Sequence, residues 1–76
     1  MSGQITSKEA VAALGISYPS LTHYTNIGLF KVIGKKKRQR LYDSEDTKKR
    51  LTMINDLITK GYPLRLIREK LDNELL

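Results

Sequence analysis

Four internal glycines, Gly15, Gly28, Gly34 and Gly61, cut this sequence into short segments. That punctuation limits the fold more than any other feature. Glycine takes positive φ at little steric cost, so each position can end a helix or turn the chain. Between the glycines, apolar residues recur at helical spacing for only a few turns at a time. No run approaches the ~18 apolar residues of a spanning helix. With 76 residues the chain can bury one modest core, and domains of this size are only marginally stable alone. There are no cysteines, which removes disulfides, thiolate metal sites and a thiol nucleophile together. Residues 1–14 alternate polar and small side chains, unlike a secretory signal. A cytoplasmic, nucleoid-associated location is expected, with no membrane partner.

Thr6-Ser7-Lys8-Glu9 fits a capping box: the Thr6 hydroxyl can accept the amide of the third helical residue while Glu9 reaches back. Ala10, Val11 and Leu14 follow at helical spacing, with Ile5 ahead of them as a staple. Gly15 ends this first helix, Ile16 re-enters the core and Ser17 caps a second helix. Pro19 is tolerated in the first turn, where its missing N–H has no partner anyway. Leu21 and Tyr24 lie three apart and share a face that can pack on the first helix. Two short helices joined through Leu14-Gly15-Ile16-Ser17 have helix-turn-helix proportions.

Gly28 breaks the second helix. Leu29, Phe30, Val32 and Ile33 read as a strand, Arg38 to Tyr42 as its returning partner, and Gly34-Lys35-Lys36-Lys37 as the tip between them. Asp43 or Ser44 opens a third helix, with Glu45 and Asp46 suited to its positive end. Leu51, Ile54, Leu57 and Ile58 form its apolar stripe, and Gly61 stops it. Tyr62-Pro63 starts a fourth helix carrying Leu64, Ile67 and Leu71. The expected fold is mainly α with a small two-stranded wing, a winged helix-turn-helix in the order α-α-β-β-α-α. One domain is expected over residues 1–76: helix-turn-helix at about 6–26, wing at about 29–42, and C-terminal helices at about 44–72.

Charge supplies the functional direction. The formal net charge is +6, and residues 31–40 hold six bases (Lys31, Lys35, Lys36, Lys37, Arg38, Arg40) and no acid. The other eight bases and eight acids cancel. A single concentrated block of this kind points to a polyanionic partner. At a hairpin tip, Lys35, Lys36, Lys37 and Arg38, with Arg40 behind, can straddle a duplex backbone or enter the minor groove. The competing readings are a solvated loop, a nuclear localisation signal or a heparin patch. The second helix would present Tyr18, Ser20, Thr22 and His23 outward, groups that can donate to phosphates or touch base edges in a major groove wide enough for a helix. For Tyr18 and His23 the alternative is an exposed face with no partner, and for Tyr24 packing is the stronger expectation.

In order along the chain, Gly15-Ile16-Ser17, Leu21-Thr22-His23-Tyr24-Thr25, Ile27-Gly28-Leu29-Phe30, Arg40-Leu41-Tyr42-Asp43-Ser44-Glu45-Asp46 and Gly61-Tyr62-Pro63-Leu64-Arg65-Leu66-Ile67 occur over roughly residues 4–72. This resembles the N-terminal winged helix-turn-helix domain of the MerR family of bacterial transcription regulators. That family's pattern is a short helix, Gly-Val-Ser, a Leu-Arg-Tyr-Tyr-Glu recognition helix, Gly-Leu-Leu, an Arg-x-Tyr wing strand and Gly-Phe-x-Leu-x-x-Ile. The resemblance implies sequence-specific double-stranded DNA binding, with the second helix in the major groove and the wing on the flanking backbone or minor groove. The implied DNA-facing set is Ser17, Tyr18, Ser20, Thr22, His23, Tyr24, Lys35, Lys36, Lys37, Arg38 and Arg40, the Tyr24 hydroxyl reaching the backbone. Two departures stand out: Thr22 replaces the family's phosphate-clamping Arg, shifting load to the wing, and Thr25 replaces its acid. The dimerising helix and effector region that usually follow are not in this sequence. A homodimer on a pseudo-palindromic site is expected only with such a helix, and no sensory function is carried over.

Other chemistry finds little support. Thr6, Ser7, Ser17 and Ser44 read as helix caps rather than nucleophiles, and no acid, base and nucleophile converge, so no catalysis is expected. His23 is the sole histidine, too few ligands for zinc or copper, and no cofactor is expected. Gly28 to Lys35 fails as a phosphate loop, because its glycine spacing is one too long and Lys36 stands where Ser or Thr should bind magnesium. Lys48, Lys49 and Arg50 read as a solvated face with a possible backbone contact. Two alternatives to a regulator remain. One is a stand-alone architectural factor resembling phage excisionases, which suits the length; the other is an interaction module docking a partner helix on Leu64, Ile67, Leu71, Leu75 and Leu76.

Overall fold

The computed structural model describes residues 3–74. Its elements are β1 (Gln4–Thr6), α1 (Ser7–Leu14), α2 (Tyr18–Asn26), β2 (Gly34–Lys36), β3 (Gln39–Asp43), α3 (Ser44–Thr59) and α4 (Leu64–Glu74). The result is a mainly helical winged helix-turn-helix. Local sequence explains most of the boundaries. Thr6 caps α1 through a complete capping box: its hydroxyl accepts from the Glu9 amide at 3.2 Å, and the Glu9 carboxylate accepts from the Thr6 amide at 3.0 Å. Gly15 leaves α1 at φ 67, and the Ser17 hydroxyl accepts from the Ser20 amide to open α2. Asp43 rather than Ser44 caps α3, accepting from the Asp46 amide at 3.0 Å.

Two expectations about the sheet are corrected. Leu29, Phe30, Val32 and Ile33 do not form a strand; strand pairing begins at Gly34. Leu29 and Phe30 face inward as core residues, and packing two consecutive bulky side chains inward opposes the alternation a strand requires. The hairpin tip consequently lies at Lys37-Arg38, with Lys37 at φ 56, and not at Gly34 to Lys37. The wing also gains a third strand. β1 pairs antiparallel with β3, giving the sheet order β1-β3-β2 with Ile5 opposite Tyr42 and Lys35 opposite Arg40. Three strands on a helical core supply the support that a lone hairpin lacks.

The core is built from Ala10, Leu21, Leu29, Phe30, Tyr42, Ile54, Ile67 and Leu71. Every element except the two edge strands contributes to it, as does the turn after α2. Within the α3 stripe Ile54 is buried, Leu51 and Leu57 are half-buried, and Ile58 is exposed, contrary to expectation. Arg50 is the larger correction, since it is 3% exposed rather than part of a solvated face. Its Nε donates to Asp46 at 2.9 Å and its guanidinium donates to the Leu29 carbonyl at 3.2 Å. A buried guanidinium must have such partners to offset its desolvation. Ile67 and Leu71 are fully buried against the core, so the proposed helix-docking stripe on α4 is spent inside the fold. Of its remaining members Leu64 is half-buried, and Leu75 and Leu76 lie outside the described residues. No helix among the described residues is long and apolar enough to cross a membrane.

Candidate nucleic-acid interface

Four hydrogen bonds fasten the hairpin to the helix-turn-helix. The Tyr42 and Thr25 hydroxyls share a hydrogen bond of 2.8 Å. Thr25 gives its single proton to the Leu21 carbonyl at 2.7 Å, so the Tyr42 hydroxyl must be the donor between the two. Arg40 donates to the Asn26 side-chain oxygen at 3.2 Å. On the other flank, the Lys8 amide donates to the Gln39 side chain at 3.2 Å and the Ser7 hydroxyl to the Arg40 carbonyl at 3.3 Å. The sheet and α2 are thereby held in fixed relation.

That relation puts part of the expected set in one place. Tyr18 and Thr22, one turn apart on α2, line a shallow depression together with Arg38 and Arg40 of the hairpin. Ser7 and Tyr42 complete the lining. Tyr18 is 58% exposed, so its ring rises from the rim rather than filling the floor. Lys35 stands directly across from Arg40 in the hairpin register, and cross-strand partners lie on the same face of a sheet. Lys35 therefore belongs to this side as well. Lys36, paired with Gln39, takes the opposite face, nearer the start of α1. There its charge helps hold the Glu9 carboxyl below the usual glutamate range, a minor cause beside the hydrogen bonds from the Thr6 backbone and side chain. Lys36, Lys37 and Arg38 are all exposed.

The electrostatics of the hairpin are one-sided. Lys35 and Arg40 are like charges directly opposite one another, an arrangement that weakens a strand pair. No acid on either strand faces them, since Asp43 lies at the far end capping α3. An anion bound across the pair would relieve that repulsion, and a phosphate backbone supplies anions at regular spacing.

The other expected residues lie elsewhere or are engaged. Ser17 and Ser20 are tied to each other, the Ser17 hydroxyl donating to that of Ser20 at 2.9 Å while capping the helix. Tyr24 is half-buried, its ring edge-on to Phe30 with centroids 5.7 Å apart. His23 is exposed on the opposite flank of α2, where it lines a groove against α4 instead of facing the wing. Two wing-side residues escaped the sequence reading: Asn26, which orients Arg40, and Gln39, which ties the hairpin to α1. Asn26 was detectable in principle, because it follows Tyr18 and Thr22 at a spacing of four. Nothing in the sequence marked Gln39. Among the described residues no group of three His, Asp or Glu side chains is placed to hold a metal ion.

Residues 5–74 match the family model described as MerR HTH family regulatory protein. No curated protein and no solved structure matches the chain.

Proposed function

The chain belongs to the MerR HTH family of regulatory proteins, a family of DNA-binding transcription regulators, and from that premise we propose how this member engages its duplex. Residues 1–76 act as one DNA-binding unit. The α2 helix enters the major groove with Tyr18 and Thr22 leading, and the hairpin residues Lys35, Lys37, Arg38 and Arg40 grip the adjoining phosphates or reach into the minor groove. Lys36 adds a contact from the other face of the hairpin. Ser17, Ser20 and Tyr24 act mainly by fixing the position of α2, and His23 meets the backbone only at the far edge of the helix.

The observation that carries this reading is the shared depression lined by Tyr18, Thr22, Arg38 and Arg40. A recognition helix alone contacts too little of a duplex to be held in register, and phosphate contacts beside it supply orientation. Thr22 is short and uncharged, so affinity falls chiefly to the wing, while specificity falls to the hydroxyl-bearing face of α2. No reaction is proposed, because the depression gathers cations and hydroxyls without a general base.

Selection of bound duplexes from a randomised library, followed by anisotropy titration of the selected sequence, tests the proposal. The expected result is an enriched motif bound at least about a thousandfold more tightly than random duplex. Thr22→Ala should narrow that gap with little change in affinity for random duplex. Equal binding to selected duplex, random duplex and single strands would remove the claim of sequence-specific readout.

A further inference from the structure

The hydrogen bonds that fasten the hairpin share one property: no acceptor among them carries a charge. Those acceptors are the Asn26 and Gln39 side-chain oxygens, the Arg40 carbonyl and the Thr25 hydroxyl. Elsewhere in the chain cations are held by acids, Arg50 by Asp46 and Lys60 by Asp56, each at 2.9 Å. Arg50 is buried and needs a compensating charge. Lys60 is exposed and is paired all the same. With eight acids in the sequence, the neutral fastening of the hairpin is not a matter of supply.

Arg40 is the cation this arrangement affects most. It is half-buried in the wall of the depression, with Nη1 donating to Asn26 Oδ1 at 3.2 Å. The depression is lined by Arg38, Arg40 and four hydroxyl-bearing residues, and by no acid. A carboxylate at position 26 would grip the guanidinium about twice as strongly as a neutral acceptor does. It would also cancel most of the cation's field where an anion binds beside it. The amide fixes the direction of the fork and leaves its charge and its remaining N–H groups free. Asn26 is also the last residue of α2, where an acid opposes the helix dipole. That preference acts on stability alone, whereas a role toward Arg40 acts on anion binding.

We propose that Asn26 is a positioning residue, holding Arg40 by an uncharged acceptor so that the guanidinium meets a duplex phosphate at full charge. The inference rests on the duplex-binding reading of the wing. Its test is anisotropy titration of the selected duplex across a range of salt, with the full chain and the variants N26D, N26A, R40Q and N26D/R40Q. N26D should bind at least about tenfold more weakly at low salt, with the slope of log affinity against log salt reduced in magnitude by about 0.9, the share of one phosphate. R40Q should lose the same share, and adding N26D to it should change the slope little further. N26A frees Arg40 without neutralising it, so affinity should fall about two- to tenfold at an unchanged slope. Circular dichroism melts of N26D should stay close to the parent, because the new exposed ion pair offsets the dipole cost. An N26D chain with the parent's affinity and slope would overturn the proposal. So would an equal further loss of slope in N26D/R40Q, which would mean that the acid acts on the duplex directly, or an N26D melt far below the parent, which would leave the helix end as the reason for Asn26. A parent chain that binds no duplex removes the reading beneath the inference as well, an outcome told apart from the others before any variant is compared.

Discussion

Arg50 shows at residue scale how one side chain can serve two elements. It holds the Leu29 carbonyl, just beyond the end of α2, to α3, so the exit from α2 is pinned to the core. Arg50→Ala leaves that carbonyl unpaired and opens a void. The expected loss is about 2–4 kcal/mol in denaturant unfolding, given that an unsatisfied buried group costs about 1–3 kcal/mol before the cavity is counted. Asp46, being 37% exposed, contributes less through its charge, and Asp46→Asn should cost under about 1 kcal/mol. Glu9 makes a separate prediction about pH. Its folded carboxyl titrates below the ordinary glutamate range because it accepts from Thr6. The ionised form is therefore favoured by folding, and its stabilisation is complete above about pH 4.3. That stabilisation is lost as pH falls through the lower folded value. Thermal melts of Glu9→Gln should show a lower Tm than the parent at neutral pH, a difference that shrinks as pH falls through the lowered folded value. Single-residue roles such as the Thr6 and Ser17 caps were legible because capping depends on neighbours within three positions. The burial of Arg50 was not, since only tertiary packing separates it from the exposed Lys48 and Lys49 beside it.

At element scale, the junction between α2 and the wing is where the strand expectation failed. Gly28 sits at φ 88, and a Cβ there would come within 2.8 Å of the Arg68 side chain. The guanidinium can swing aside, so the main cost of Gly28→Ala is the left-handed backbone, about 1–2 kcal/mol. Leu29-Phe30 and Val32-Ile33 share strand-forming composition, yet the first pair is buried and the second exposed. Composition does not reveal which side of a chain meets the core, so the strand was placed several residues early. β1 was missed for a related reason: three residues, Gln4–Thr6, are too few to show alternation. The hairpin's like-charge pair predicts opposite effects on stability and binding. Lys35→Ala should leave the Tm unchanged or slightly raised, since it removes repulsion worth a few tenths of a kcal/mol. The same change should weaken duplex binding.

At the scale of the whole molecule, the domain presents two surfaces on opposite flanks of α2. Tyr18 and Thr22 face the wing, whereas His23 and Ile27 face α4. The sequence reading gathered Tyr18, Thr22 and His23 into one DNA-facing set, since helical periodicity alone does not tell one flank from the other. The central claim, that wing and α2 grip one duplex together, is tested most directly by the salt dependence of affinity. Anisotropy titrations of the selected duplex across a range of salt should give a slope of log affinity against log salt of about −4, as expected for four or five phosphate contacts. The triple change of Lys35, Lys36 and Lys37 to Ala should reduce its magnitude by about 2–3. A shallow slope in the parent chain, or one unchanged by removing the three lysines, would contradict the account.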